Sequence, residues 1–275
     1  MALVRSVALV ACALVALYLL RLALLGSAFA IVCTPTVKRR VALLLRGHVR
    51  DAFDGDATRR FVQSMIRDAR MEVDVYVQTW DHREAQQGCS WRVLQREREP
   101  VRASDVRAYL RCKCTVLVIP EASVRLVGPA DGLLPLPGTT APRRGWKHMW
   151  YGKSRAIRLI EESGVDYDAT VSMRLDFFGA YVSSRHASDY GVRVTAANVR
   201  DWTCANAGSG YVRFLVDRPS LGIDNCYIGP TALMGRICAS FHEELDRTCA
   251  RLGWDMHQEK MVFLRAEELN DDLAH

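Results

Sequence analysis

The sequence lacks several patterns that define common functional classes. It has no Asn-x-Ser/Thr sequon, no internal repeat and no low-complexity tract beyond its amino-terminal apolar stretch. Its formal net charge is +6 over 275 residues, and the arginines are dispersed along the chain. Proteins that bind nucleic acids usually concentrate their basic residues in a stripe with interleaved aromatic side chains. The composition therefore predicts an anionic small-molecule substrate and no nucleic-acid partner.

Two segments look like metal or phosphate motifs but are incomplete. Cys112-Lys113-Cys114 has no second cysteine pair at zinc-finger spacing. Tyr151-Gly152-Lys153-Ser154 resembles the end of a phosphate-binding loop, but the first glycine of that motif would fall at Lys147, and no strand precedes it. We therefore expect neither a zinc site nor a P-loop. Seven cysteines follow residue 40, and this odd number permits disulfides in an oxidising compartment while leaving at least one thiol unpaired.

A long apolar stretch occupies residues 7–33 and is interrupted only by Arg21. Its length is close to the roughly 20 residues that cross a bilayer. It predicts a single-pass membrane helix within residues 1–35, followed by one domain over residues 36–275. A cleaved signal peptide is the alternative, since Ala28-Phe29-Ala30 is a small-x-small site.

The chain after the apolar stretch alternates strand and helix patterns. Val41–Leu45 is an apolar run that ends at Arg46-Gly47-His48, and a helix is expected from Asp56 or Thr58 to about Arg70. Met71–Gln78 predicts a second strand, which ends at Thr79-Trp80-Asp81. This strand-helix-strand unit predicts an α/β domain with a mostly parallel central sheet and flanking helices.

Further elements follow the same logic along the rest of the chain. We expect strands at 114–119, before Arg174 and near 192–195, a surface loop over 128–145, helices over 147–163 and 231–252, and apolar segments near 211–216 and 257–264.

Arg174-Leu175-Asp176 closes an apolar strand and is the strongest candidate site. Residues two apart on a strand face the same side, here at the edge where open α/β sheets bind ligands. A carboxylate offers oxygen to a divalent cation, and a guanidinium offers paired donors to phosphate. The pattern therefore predicts a site for a nucleotide diphosphate. A surface ion pair is the alternative.

The order of these elements resembles a group of nucleotide-sugar glycosyltransferase-like proteins of GT-A type found in algae, large viruses and bacteria. The residues that carry the resemblance are Val41–Arg50, Val75–Asp81, Tyr167-Asp168, Arg174-x-Asp176, Asp224–Gly229 and Gln258-Glu259. The family usually has Asp-x-Asp where this chain has Arg174-x-Asp176. The resemblance implies transfer of a sugar from a nucleotide-sugar donor to a glycan, protein or lipid acceptor, with Mn²⁺ or Mg²⁺ as the cation. Because Arg174 replaces the first acid, the alternative is a metal-independent site in which Arg174 stabilises the leaving diphosphate.

Several residues are candidates for this chemistry. We expect Asp176 to bind the cation, Arg174 to stabilise the leaving diphosphate, and Asp224 or Glu259 to act on the acceptor hydroxyl. The expected donor-binding residues are Arg46, Gly47, His48, Arg50, Trp80 and Asp81. Each has a structural alternative: a turn glycine, solvated charges, a core tryptophan, a helix cap, or a carboxylate favoured by a helix dipole.

Two other functions fit the same sequence. A non-catalytic nucleotide- or carbohydrate-binding module would explain the missing first acid, and a sulfotransferase-like enzyme would share the anchor and the sheet. The latter is disfavoured because Arg46-Gly47-His48 lacks hydroxyl side chains for a phosphate. The resemblance and the cysteines favour residence in the secretory-pathway or Golgi lumen, although Lys38, Arg39 and Arg40 after the apolar stretch slightly favour a cytoplasmic domain.

Overall fold

The computed structural model describes residues 38–86, 88–89, 98–136, 139–180, 182–183, 194–216, 223–253 and 256–273. The expected membrane anchor lies outside these residues. None of the helices within the described ranges combines the length and apolar character that crossing a bilayer requires.

The strands of the central sheet are two to ten residues long, and most of their residues are buried. Their bounds are β1 Arg39–Arg46, β2 Met71–Trp80, β3 Thr115–Ile119, β6 Ala169–Arg174, β7 Arg213–Phe214 and β8 Cys226–Gly229. The six strands lie in the order β3-β2-β1-β6-β8-β7. The first four in that order are parallel, whereas β8 is antiparallel to both β6 and β7. The prediction of an α/β fold with a mostly parallel sheet is confirmed.

Helices cover both faces of the sheet. Their bounds are α1 Ala57–Ile66, α2 Ala103–Leu110, α3 Arg143–Glu161, α4 Ala196–Asn206, α5 Thr231–His242, α6 Leu245–Leu252 and α7 Gln258–Asp271. Single 3-10 turns lie at Glu121–Ser123 and Ile223–Asn225.

The alternation of side chains along β1 divides the core between these two layers. Leu43 and Leu45 face the side of α1, α2 and α4, whereas Ala42 and Leu44 face the side of α3, α5 and α7. Successive strand residues point to opposite faces, so a polar residue at position 46 continues the row of Ala42 and Leu44. Arg46 therefore lies under the α3 layer.

Strand direction brings distant parts of the chain to one edge of the sheet. Parallel strands end at the same edge, so Arg46, Trp80, Ile119 and Arg174 terminate side by side. Because β8 runs the other way, it begins at that edge, directly after the 3-10 turn Ile223–Asn225. We call this the carboxyl edge, and it is where open α/β sheets bind ligands.

Three local predictions were wrong. The surface loop over 128–145 contains an antiparallel strand pair, β4 Leu133–Leu136 and β5 Thr139–Pro142, and α3 starts at Arg143 directly after it. The helix over 231–252 is divided into α5 and α6. Residues 194 and 195 are not part of a strand, because the Thr195 hydroxyl accepts the Asn198 N–H and caps α4; residues 192–193 lie outside the described ranges.

Candidate functional site

Three polar side chains form a row across the carboxyl edge. Gln78 on β2 and Arg174 on β6 are the register partners of Arg46 on β1. Side chains at one register level of neighbouring strands point to the same face. The three therefore lie together below α3, next to the buried row of Tyr76, Leu44 and Ser172.

Arg46 is a buried cation with neutral partners. The residue is only 3% exposed. Its Nε donates to the Ser172 hydroxyl over 2.8 Å, its Nη2 donates to the Asp224 carbonyl oxygen, and its guanidinium lies 5.6 Å from the centre of the Tyr227 ring. No carboxylate of the described residues forms an ion pair with it. The Asp224 carboxylate, on which the Arg46 charge also acts, is already paired with Lys153, so the two buried cations keep one excess positive charge and this position favours an anionic ligand.

Lys153 on α3 forms the second buried cation of the site. It is 1% exposed, its Nζ lies 3.1 Å from Asp224 Oδ2, and it lies over the Trp150 and Tyr227 rings. Burial and the nearby Arg46 charge lower the pKa of Lys153 to about 7. Burial alone would raise the pKa of the Asp224 carboxyl, but the Lys153 and Arg46 cations outweigh that effect and lower it. Lys153 is thus paired with the Asp224 carboxylate, and Arg46 acts on the same carboxylate through its charge without an ion pair.

Asp176 is the centre of a second buried ion-pair network. Its two carboxylate oxygens accept from Arg174 Nε over 2.8 Å and from Arg174 Nη2 over 2.6 Å, which is a bidentate pair. Arg50 Nη1 donates to the same carboxylate over 3.0 Å, and Asp176 is 2% exposed. Arg174 Nη1 also donates to Asn225 Oδ1 over 3.2 Å. The Asp176 carboxylate therefore fixes the direction of the Arg174 guanidinium.

This arrangement does not fit a divalent cation at Asp176. Mg²⁺ and Mn²⁺ need several oxygen ligands, but both oxygens of Asp176 accept hydrogen bonds from guanidinium groups that would repel a cation. Across the described residues, no three His, Cys, Asp or Glu side chains group closely enough to hold a metal. We derive no step through a metal ion.

Gln78 supplies an unused donor beside Arg46. Its Oε1 accepts the Gly47 N–H over 3.3 Å, whereas its Nε2 is buried and has no hydrogen-bond partner. A β-carbon at Gly152 of α3 would lie 2.9 Å from Gln78 Oε1, so a larger residue there would displace the Gln78 amide. An orphaned donor in a polar row is a position that a ligand acceptor can satisfy.

The turn after β1 provides open space next to the row. Gly47 has a φ of 99°, a conformation that other residues rarely adopt, and a β-carbon there would meet nothing within 4 Å. Arg50, three residues later, also has a positive φ of 46°. The backbone at this turn is thus shaped to aim Arg50 at Asp176 and to leave room beside Gly47.

His48, Trp80 and Asp81 occupy the neighbouring part of the edge. His48 stacks on the buried Trp80 at 5.6 Å between ring centres, and its Nε2 lies 2.8 Å from Glu121 Oε1. Burial lowers the pKa of His48 to about 4, so the ring is neutral at pH 7. Asp81 Oδ1 accepts the Glu121 N–H and lies 2.9 Å from His82 Nδ1. Through these contacts Trp80 stabilises the turn after β1, and Asp81 stabilises the 3-10 turn Glu121–Ser123.

The start of α7 lies beside the 3-10 turn that carries Asp224. His257 caps this helix, since its Nδ1 accepts the Glu259 N–H over 3.1 Å, while its Nε2 is buried and without a partner. Burial lowers the pKa of His257, although the Asp224 charge opposes this. Glu259 belongs to the first turn of the helix. Asp224 and Glu259 therefore belong to neighbouring elements.

The structure assembles the candidate residues into two groups. Arg46, Arg174, Asp176 and Asp224 form a continuous polar network, to which Arg50 is joined through Asp176. His48, Trp80 and Asp81 form an adjacent aromatic and acidic group. Sequence reasoning missed Lys153, Gln78 and Ser172. For Lys153 the sequence did contain a signal: it lies between Trp150 and Ile157 on the apolar face of α3, which indicates a buried lysine.

No family model, curated protein or solved structure matches this chain in comparisons with known proteins.

Proposed function

We propose that this protein is a nucleotide-sugar-dependent glycosyltransferase with a GT-A type fold, whose donor diphosphate binds under α3 at the carboxyl edge. The observation that carries the proposal is the buried Arg46 guanidinium, which has only neutral partners among the described residues. A diphosphate supplies the missing negative charge, and its oxygens also accept from the orphaned Gln78 Nε2.

The same groups suit the departure of a nucleoside diphosphate. Negative charge develops on the leaving diphosphate as the bond to the sugar breaks, and fixed cations stabilise it without having to reorient. Arg46 is held by Ser172 and Asp224, and Arg174 is held by Asp176. We assign leaving-group stabilisation to these two arginines and assign Asp176 to positioning Arg174.

An inverting transfer needs a base for the acceptor hydroxyl. Lys153 and Arg46 lower the pKa of Asp224, which makes this carboxylate a weak proton acceptor. We therefore propose Glu259, on the adjacent first turn of α7, as the base, and Asp224 as a hydrogen-bond acceptor for a sugar hydroxyl.

The proposal includes the expected N-terminal anchor and a domain in the lumen of the secretory pathway, acting on a glycan, protein or lipid. The seven cysteines within the described ranges are free thiols. Because no disulfide forms among these cysteines, the lumenal location is supported by the N-terminal sequence and the family resemblance alone.

Calorimetric titration of the full chain with UDP-glucose, GDP-mannose and CMP-sialic acid tests donor binding, and nucleotide release with added acceptor sugars tests turnover. We expect binding of one donor class, with the same affinity in EDTA and in Mn²⁺. Absence of binding by any nucleotide sugar would refute the proposal. Binding without turnover would favour a non-catalytic binding module, and binding that requires Mn²⁺ would restore the cation at Asp176.

A further inference from the structure

The buried centre of the site contains two cations and one carboxylate. Lys153 Nζ contacts Asp224 Oδ2, Arg46 Nη2 contacts the Asp224 carbonyl, and both cations lie over the Tyr227 ring at 5.5 and 5.6 Å. This centre carries one excess positive charge when Lys153 is protonated and none when Lys153 is neutral. Water cannot solvate the excess charge, because both cations are almost fully buried.

We propose that Lys153 takes up a proton when an anionic ligand binds beside Arg46, so that ligand binding and protonation of the site are coupled. Only the identity of the ligand as a nucleotide sugar rests on the proposed function. The coupling itself follows from two buried cations next to the single Asp224 carboxylate, and it applies to any dianion that enters the site.

Lys153 is the group of this centre that can change its charge near neutral pH. Arginine stays protonated, so Arg46 and Arg174 keep their charges. Burial raises the pKa of the Cys238 thiol to about 12 and also raises the pKa of Tyr227, so both stay neutral. Lys153 itself has a pKa lowered to about 7. The charged and titratable groups that face Lys153 are Arg46 of β1, Asp224 of the 3-10 turn, Tyr227 of β8 and Cys238 of α5. Arg174 of β6 and His257 of α7 interact with Asp224.

The direction of the pH dependence follows from this value. Below pH 7 Lys153 is already protonated, so an anion binds without proton uptake. Above pH 7 the lysine is mostly neutral, and binding must recruit a proton. For a free-site pKa near 7, uptake is about 0.1 proton per ligand at pH 6 and about 0.9 at pH 8, and affinity falls about tenfold per pH unit above 7.5.

Calorimetry of the full chain in HEPES and in Tris measures this uptake, because the two buffers release protons with different enthalpies. The probes are UDP-glucose and sulfate, neither of which changes its charge between pH 6 and 8. We expect the difference between the two buffers to be large at pH 8 and close to zero at pH 6. Equal heats in both buffers at pH 8, with clear binding, would overturn the coupling.

Lys153→Arg is the matched variant, because arginine keeps the charge and does not titrate in this range. It should retain binding at pH 8 and lose the proton uptake, whereas uptake that persists would assign the proton to another group such as His257. If the variant does not fold, the pH dependence of the wild-type chain decides alone. Proton uptake on sulfate binding, without binding of nucleotide sugars, would support the coupling and refute the glycosyltransferase. Binding of UDP-glucose without proton uptake would refute the coupling and support the glycosyltransferase.

Discussion

Arg50 reaches the buried Asp176 carboxylate from a left-handed backbone conformation, with a φ of 46° and an Nη1–Oδ2 distance of 3.0 Å. A non-glycine residue in this conformation is strained, and the surrounding structure must compensate for the strain. The bond from Arg50, together with the bidentate pair from Arg174, joins the turn after β1 to the end of β6. Asp176 is therefore a structural centre as well as a candidate functional residue.

The first prediction concerns this centre. Asp176→Asn should lower the free energy of unfolding by about 3–5 kcal/mol, because it leaves two guanidinium groups near a neutral amide in a buried position. Urea denaturation measures the change. Asp131→Asn is the control, since Asp131 is almost fully exposed in its 3.5 Å pair with Arg144, and this variant should melt as the wild type does. An Asp176→Asn chain with wild-type stability would show that this ion-pair network does not stabilise the fold.

The second prediction separates binding from stability at Arg46. Arg46→Met should weaken UDP-glucose binding about 10- to 150-fold, the equivalent of losing a charged hydrogen bond. Its melting temperature should stay the same or rise, because an apolar side chain replaces a buried cation that forms no ion pair, the Asp224 carboxylate being paired with Lys153.

Arg59→Met is the matched control for this variant. Arg59 also lies over a tyrosine ring, at 6.0 Å from the centre of Tyr109, but it is on α1, away from the site. It should bind the donor as the wild type does. Reduced stability together with undiminished binding in Arg46→Met would make Arg46 a structural residue.

The third prediction concerns pH. The pKa of His48 is about 4 in the folded chain and about 6.5 when unfolded, so between these values only the unfolded chain holds the proton. Stability from the neutral ring is complete above pH 6.5 and is lost as the pH falls toward 4. His48 should account for about 2 kcal/mol of the loss between pH 7 and pH 5.

His48→Gln tests this assignment, because glutamine can still donate to Glu121 but does not titrate. Chemical denaturation at pH 7 and pH 5 should show a smaller difference for the variant than for the wild type. An identical difference in both chains would assign the acid sensitivity to other groups.

The fourth prediction is that residues 36–275 fold without the N-terminal segment. The two core layers of the described residues lie between Val41 and Leu269, so this range contains extensive apolar area to drive folding. The shortened chain should unfold in a single cooperative transition by circular dichroism. Aggregation under both oxidising and reducing conditions would contradict this boundary.

The sequence predicted the parallel part of the sheet and the residues that end its strands, because apolar runs followed by polar turns report directly on buried strands. It placed Arg46, Trp80 and Arg174 at one edge, as the structure has them. Lys153 was missed because a lysine within an amphipathic helix is normally solvated, whereas here the packing of α3 against β1, β2 and α5 buries it. The sequence offered an ion pair between Arg174 and Asp176 as an alternative, but the pair between Arg50 and Asp176 depends on the left-handed backbone of Arg50, which no sequence pattern indicated.

The candidate site can form only late in folding, because one of its turns directly precedes the antiparallel strand β8. Arg46 and its partner Asp224 are separated by 178 residues, and the turn that carries Asp224 reaches the carboxyl edge only when β8 docks against β6. A chain still emerging from the ribosome, or one cleaved near residue 220, can pair the parallel strands β1, β2, β3 and β6 but lacks the turn that completes the candidate site. Ligand binding is therefore a sensitive probe for late misfolding, including damage that leaves most of the secondary structure unchanged.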